Sequence, residues 1–260
     1  MRDWLVLGFR LTAFGSFDID QANWFEAVAG TVPASETRTR QVIPSLDANA
    51  QLPGGDASIT LHVDPFKVDW RVLPQDAFPP PNGGEPRWAN LGALHDVLAS
   101  HGATVGNRWL PIAPAINRLA VGVTLVHPTG SRDEAYTAVS ELLPFGLGEG
   151  LEDLVIQVNR PVRTEIGQGE PVTINRLVKL ASIIRSNLVL TGILAQGQAN
   201  PPSPITVREQ FGSMADLDIN TDAQREAPFE SGLLQQVYAR LLVETESLAQ
   251  EGVKDWFTRG

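Results

Sequence analysis

The stretch LAVGVTLVHPTGSRDEA, residues 119–135, resembles an earlier stretch of the same chain, LVLGFRLTAFGSFDIDQ at residues 5–21. The shared positions are Leu5/Leu119, Gly8/Gly122 and Leu11/Leu125, and after a one-residue shift both stretches contain Gly-Ser-x-Asp. Each begins with apolar residues at every second position, the period of a half-buried strand. The likeness predicts an internal duplication, and a chance resemblance between two strands that end in Gly-Ser turns is the alternative.

The elements predicted after the two stretches also follow the same order. In the first half, residues 20–32 have helical spacing, and an amphipathic helix runs from Trp88 to Gly102 after the Pro- and Gly-rich loop 77–86. Between the two helices, alternating residues predict strands at 36–43, 57–64 and 66–73. The first half therefore predicts the order βαβββα.

The second half continues from residue 119 in the same way. A helix opens at Ser131 with Glu134 three residues on, the spacing of a capping box. The predicted strands are 153–163, 171–183 and 186–195, followed by a Pro-rich loop at 200–204, a further strand and a long helix at 229–250. We therefore expect an α+β fold with halves 1–112 and 113–260, an antiparallel sheet, and helices mainly on one face.

Composition narrows the classes of function. The formal net charge of -10 disfavours a nucleic-acid partner, because a polyanion would be repelled. The absence of cysteine removes disulfides, thiolate nucleophiles and Cys-ligated metals, and is typical of a reducing cytoplasm. No apolar run approaches the roughly 20 residues that span a bilayer, so no membrane partner is expected.

The C-terminal passage ADLDINTDAQREAPFESGLLQQVYARLLVETESLAQEG, residues 215–252, carries a family resemblance. It is similar to the end of a sporadically distributed family of uncharacterised bacterial proteins, whose C-terminal block begins with a Leu-Asp-Ile-Asp-like strand. Here Asn220 stands at the last position of that signature, and the family's N-terminal signature is absent. The resemblance implies an α+β bacterial cytosolic protein and assigns no activity.

The familiar catalytic and cofactor motifs are missing. The chain has no GxGxxG opening a helix, no GK[ST] phosphate loop, no HExxH and no GxSxG, so we expect no cofactor. His62 and Asp64 share a strand face but lack a third ligand at recognisable spacing, which predicts a surface pair rather than a metal site. Asp216 and Asp218 also share a face, and the apolar set that alternates with them predicts that both face water.

Two arginines fall on the apolar side of predicted strands. In DLVIQVNRPVR Arg160 shares a side with Ile156 and Val158, and in PVTINRLVKL Arg176 shares a side with Ile174 and Val178. An asparagine, Asn159 or Asn175, precedes each arginine. A buried guanidinium needs an anionic partner. The candidates are an internal ion pair with Glu152, Glu165 or an acidic residue of a covering helix, a small bound anion, or a subunit interface; the alternative is that the strand register differs from the one the pattern indicates.

These patterns leave two hypotheses of function. The first is a non-enzymatic binding or assembly protein that associates with a protein partner, or with itself as a homodimer, because edge strands carry unpaired backbone groups. The second is a sensor or enzyme for a small anionic ligand, held by Arg160 and Arg176 with Asn159 and Asn175. Catalytic residues and a metal site are not predicted in either case.

Overall fold

The computed structural model describes residues 3–40, 42–75, 87–148, 153–167, 169–190 and 205–256. The strands are β1 (Leu5–Gly15), β2 (Ser35–Thr39), β3 (Ser45–Gln51), β4 (Ala57–Val63), β5 (Lys67–Pro74), β6 (Ile116–Thr129), β7 (Val155–Asn159), β8 (Val162–Ile166), β9 (Glu170–Leu190) and β10 (Ile205–Thr221). The helical segments are α1 (Phe25–Ala29), α2 (Leu94–Val97), α3 (Ala103–Trp109), α4 (Arg132–Ser140) and α5 (Ser231–Glu251). A π turn at Leu98–Gly102 joins α2 and α3 into one helix, and a 3-10 turn at Lys254–Trp256 follows α5.

All ten strands form one antiparallel sheet, as the α+β prediction requires. Their order is β2-β3-β4-β5-β1-β6-β10-β9-β7, with β8 also paired to β9. The two similar stretches quoted above are β1 and β6, which pair with each other at the centre of the sheet, with Phe9 opposite Val123. The halves 1–112 and 113–260 extend from this pair in opposite directions in the same order of elements. Descent from a duplicated unit stays a prediction.

The halves differ from the predicted βαβββα pattern in the number of strands. Four strands follow the first helix of each half, because β3 was not predicted and the segment 153–163 is divided into β7 and β8. The division falls at Arg160-Pro161, where proline cannot donate to a ladder. Conversely, the predicted strands 171–183 and 186–195 belong largely to the single strand β9. The predicted loops 77–86 and 200–204 lie outside the described residues.

The helices cover one face of the sheet. Trp70 of β5 is fully buried there and contacts the ring of Phe25 in α1 at 6.1 Å and that of Trp109 in α3 at 6.2 Å between centroids. On the same face, over the strands of the second half, α4 and α5 pack on β6, β9 and β10. The alternating apolar residues of the central strands point into this layer. We call this side the covered face and the opposite side the open face.

The start of α4 follows the predicted capping chemistry. The Ser131 hydroxyl accepts a hydrogen bond from the Glu134 backbone N–H at 3.2 Å. The Glu134 carboxylate in turn accepts from the Gly130 backbone N–H at 2.7 Å, one residue before the position expected in a capping box. Ser131 is therefore the N-cap of α4, as the spacing predicted.

The long C-terminal helix packs closely against α3. The ring of Tyr238 lies over Gly106, where an added Cβ would be only 2.0 Å from a ring carbon. The buried Tyr238 hydroxyl donates to the Gly102 carbonyl at 2.6 Å. Burial raises the pKa of Tyr238 far above its ordinary value, so its hydroxyl stays protonated. In the part of the chain that the structure describes, no helix is long and apolar enough to cross a membrane.

Candidate functional site

The sheet separates the four residues that the sequence singled out. Arg176 lies in β9 on the covered face, and Arg160 directly follows β7 at the position opposite it. The two backbone segments are joined there by a hydrogen bond from the Arg160 N–H to the Arg176 carbonyl at 3.1 Å. Since successive side chains of a strand alternate, Asn159 and Asn175 project from the open face instead. The arginines and the asparagines therefore do not form one site.

Arg176 has an anionic partner on the covering helix. Its Nη1 donates to Glu244 of α5 at 3.4 Å, and its side chain is 19 % exposed against 9 % for Glu244. The guanidinium also lies 5.0 Å from the centre of the Trp256 ring. Burial and the nearby positive charge of Arg160 lower the pKa of Arg176, and the Glu244 carboxylate opposes that shift. Of the predicted alternatives, the structure shows the ion pair with a helix.

The two asparagines have different environments on the open face. Asn175 is half-buried and donates to the side-chain oxygen of Asn220 at 3.2 Å, across the β9–β10 pair. Asn159 ends β7 and is exposed. Whether any of these four residues binds a ligand stays a prediction.

Two histidines, His62 and His95, lie beside carboxylates. His62 lies 2.7 Å from Asp47 and 3.8 Å from Asp64. His95, on α2, lies 2.8 Å from Glu246 of α5. Within the described ranges, no group of three or more potential metal ligands occurs.

Asp216 and Asp218 both lie on the open face, which the alternation in β10 had predicted. Asp216 accepts a hydrogen bond from Thr124 at 3.2 Å, and Asp218 accepts from Nη2 of Arg10 at 2.9 Å. Asp218 also accepts from the side-chain amide of Asn220 at 2.8 Å. Both carboxylates therefore belong to a polar network at the centre of the open face.

A cavity of about 230 Å³ lies in this network, and sequence reasoning missed it. Its floor consists of Thr12 in β1 and Ala120 in β6, which are opposite each other in the register and are small. Four long cationic side chains flank that floor. Arg10 and Arg71, which are opposite each other, lie at the next open-face position along the strands in one direction, and Arg118 and Lys67 lie at the next open-face position in the other direction. We call these six residues the cationic cup.

The cup was not predictable because its residues come from three strands of both halves. The charged residues alternate with apolar ones, which is the ordinary pattern of a strand with one solvent-exposed face. Only the pairing of β5 with β1 and of β1 with β6 brings the four cations together. The one available signal was the repeated glycine: Gly122, the partner of Gly8 in the repeat, lies under the guanidinium of Arg10, where a Cβ would come within 2.9 Å of Nε.

Comparisons with known proteins give no family to which this chain can be assigned. No family model, curated protein or solved structure matches it. The C-terminal resemblance to an uncharacterised bacterial family therefore stays a prediction.

Proposed function

We propose that the protein is a non-enzymatic binding and assembly protein of the cytoplasm that associates with a second copy of itself through the free end of the β9–β10 ribbon. The ribbon is the observation that supports this proposal. Among the described strands, residues 205–210 of β10 pair only with β9, because the pairing of β10 with β6 begins at Phe211. On the other side of β9, pairing with β7 and β8 ends at Ala181.

A ribbon of this kind is an incomplete structure. Two-stranded hairpins are marginally stable in water, and their outer edges expose unpaired N–H and C=O groups. No described strand pairs with the outer edge of β9 from Ser182 to Leu190, nine residues that extend over about 30 Å. An edge of this length is sufficient for a continuous antiparallel pairing with the same edge of another copy.

Apolar side chains mark the start of that free edge. Ile184 of β9 is 43 % exposed and lies opposite Phe211, and Val155, the first residue of β7, is 56 % exposed. Pairing around a two-fold axis would satisfy the edge of both copies at once and cover such residues. By contrast, β2 at the other edge of the sheet is short and polar, with Glu36 and Arg38 in its five residues, which disfavours association there.

The test is sedimentation of the full chain at micromolar concentration. We expect a dimer for the natural sequence and a dissociation constant at least about tenfold weaker for Ile184→Lys, because the lysine places a charge in the paired edge. Val243→Lys is the matched control, since Val243 of α5 is 56 % exposed and lies away from the ribbon. Because Val243 is on a helix and not on a strand edge, this variant should dimerise like the natural protein.

Two results would contradict this proposal. One is a single species of 28.2 kDa for the natural sequence across the concentration range. The other is equal dissociation constants for the Ile184→Lys and Val243→Lys variants, which would show that the ribbon is not the surface through which the protein associates.

A further inference from the structure

The cationic cup has more positive charge than the carboxylates around it neutralise. Four cationic side chains and two carboxylates, Asp69 and Asp218, line the cavity. Asp69 is 2 % exposed and is bound by the Thr12 hydroxyl at 2.6 Å and by Nε of Arg71 at 2.8 Å. Asp218 is bound by Arg10. Each carboxylate is thus matched with one arginine.

Lys67 and Arg118 are left without a carboxylate. Neither makes an ion pair with any described residue, although both are only partly exposed. Arg118 donates from Nη2 to the uncharged amide oxygen of Asn220 at 3.1 Å, and its Nε is buried with no hydrogen-bond partner among the described residues. The cup therefore carries two cations that no described carboxylate compensates.

The three arginines around the cup have side-chain contacts that orient them. Asp69 orients Arg71, and Asp218 binds the guanidinium of Arg10. The guanidinium of Arg118 lies over the Phe14 ring at 4.8 Å, and Phe14 is the residue opposite both Arg118 and Lys67 in the register. Side chains that are already positioned lose less conformational entropy when a ligand binds.

The size and the charge of the cup identify a class of ligand. A volume of about 230 Å³ is below that of ordinary drug-sized pockets, roughly 300–1,000 Å³, and therefore fits a small group. The two uncompensated cations match two negative charges, and guanidinium groups bind phosphate and carboxylate oxygens through paired hydrogen bonds. We propose that the cup binds the dianionic group of a small molecule, a phosphate monoester or a dicarboxylate.

An adjoining hollow offers space for the rest of such a molecule. It has a volume of about 440 Å³, shares Arg10, Arg71 and Asp218 with the cup, and continues across Gly122 to Thr124 and Lys179. Its lining combines polar side chains such as Gln157 and Lys179 with the apolar Leu73 and Leu177, and among the described residues it contains no aromatic residue other than Phe9, whose ring belongs to the covered face. The remainder of the ligand is therefore not expected to be a stacked base.

The experiment is calorimetric titration of the full chain with inorganic phosphate and, separately, with succinate at constant ionic strength. We expect one dianion bound per chain. Lys67→Gln and Arg118→Gln should each weaken binding about tenfold or more, since each removes a charge-assisted contact. Arg40→Gln removes the same charge from a side chain that is 81 % exposed and outside the cup, and it should bind like the natural protein.

The two probes distinguish the possible sources of the dianion. Binding of phosphate alone would identify a phosphate monoester, binding of succinate alone a dicarboxylate, and binding of both a site that reads charge. No binding of either probe at millimolar concentration would overturn the proposal. So would unchanged affinity in the double variant Lys67→Gln/Arg118→Gln, provided that its thermal unfolding shows a folded protein.

Discussion

Arginines on the two faces of the same sheet have opposite environments. Arg176 on the covered face is enclosed by α5 and the C-terminal turn, with Glu244 as its ion-pair partner and Trp256 over its guanidinium. Arg118 on the open face has an aromatic ring beneath it and an amide beside it, but no carboxylate among the described residues. Arg118 lies on the central strand β6 and Arg176 on β9 near one edge of the sheet, and their surroundings differ because helices cover one side only.

The difference follows from the cost of burying charge. A guanidinium beneath a helix must have an anionic partner, because desolvation without one costs several kcal/mol. A guanidinium on a solvated face has no such requirement, so its charge is available to a ligand. We infer that the covered face is optimised for packing and pairing, and that the open face is the binding surface.

The largest expected effect comes from replacing a glycine in the helical layer, compared with replacing a glycine on the open face. Gly106→Ala places a Cβ 2.0 Å from the ring of Tyr238, whose buried hydroxyl is fixed by the Gly102 carbonyl. We expect a loss of about 3 kcal/mol in the free energy of unfolding, at the upper end of overpacking effects. Gly122→Ala on the open face meets only the movable end of Arg10 and should cost about 1 kcal/mol or less.

Urea unfolding of the two variants measures this contrast directly. Equal losses for Gly106→Ala and Gly122→Ala would show that the open face is packed as tightly as the covered one, which contradicts the distinction between them.

The next effect concerns the ion pairs of the two faces. Glu244→Gln should cost about 2–3 kcal/mol, because Arg176 then lacks its partner while remaining mostly buried. The double variant Arg176→Met/Glu244→Gln should recover part of that loss, since the unpaired buried cation is gone. On the open face, Asp218→Asn breaks a pair whose side chains are 39 % and 31 % exposed and should cost about 1 kcal/mol or less.

Chemical denaturation of these three variants provides the measurement. The expectation for the covered face fails if the double variant is less stable than Glu244→Gln alone, because the unpaired arginine would then not be the cause of the loss.

The smallest expected effect compares the pKa values of an exposed and a partly buried histidine of the helical layer. Glu246 raises the pKa of the exposed His95 by accepting its hydrogen bond, whereas burial lowers the pKa of His101 in the adjoining π turn. The His95 pair therefore contributes stability that is present below about pH 6.5 and is lost as the pH rises through the folded-state pKa. His101 has the opposite sign, since its contribution is lost as the pH falls.

Titration of the two imidazoles by NMR checks these directions. Glu246→Gln should return the pKa of His95 towards its ordinary value and leave that of His101 unchanged. A pKa of His95 below that of His101 in the natural protein would contradict at least one of the two directions.

Alternation along the chain predicted more of the fold than of the site. The strand pattern placed Arg176 on the apolar side of β9 and Asp216 and Asp218 on the polar side of β10, as the structure has them. It missed β3, whose inward residues after Leu46 are the small Ala48 and Ala50, because alanine gives a weak apolar signal. Local patterns were therefore sufficient for elements with large apolar residues.

The cationic cup depends on which strands pair, and no local pattern contains that information. Arg10 and Arg71 are opposite each other only because β5 returns to pair with β1, and Arg118 joins them only because the halves pair through β1 and β6. In the same way, the sequence indicated that an acidic residue of a covering helix could pair with the buried arginine, but it did not identify that residue as Glu244. Long-range pairing decides the site, whereas the strand period decides only which face each residue occupies.

An amide chemical-shift map of the protein during titration with inorganic phosphate tests the central claim most directly, because it reports both faces at once. The separation of a packed face from a binding face predicts that the perturbed amides cluster around Thr12, Lys67, Arg71, Arg118 and Ala120, with little change at Arg160 and Arg176. Perturbations centred on Arg160 and Arg176, with none around Thr12 and Ala120, would contradict it.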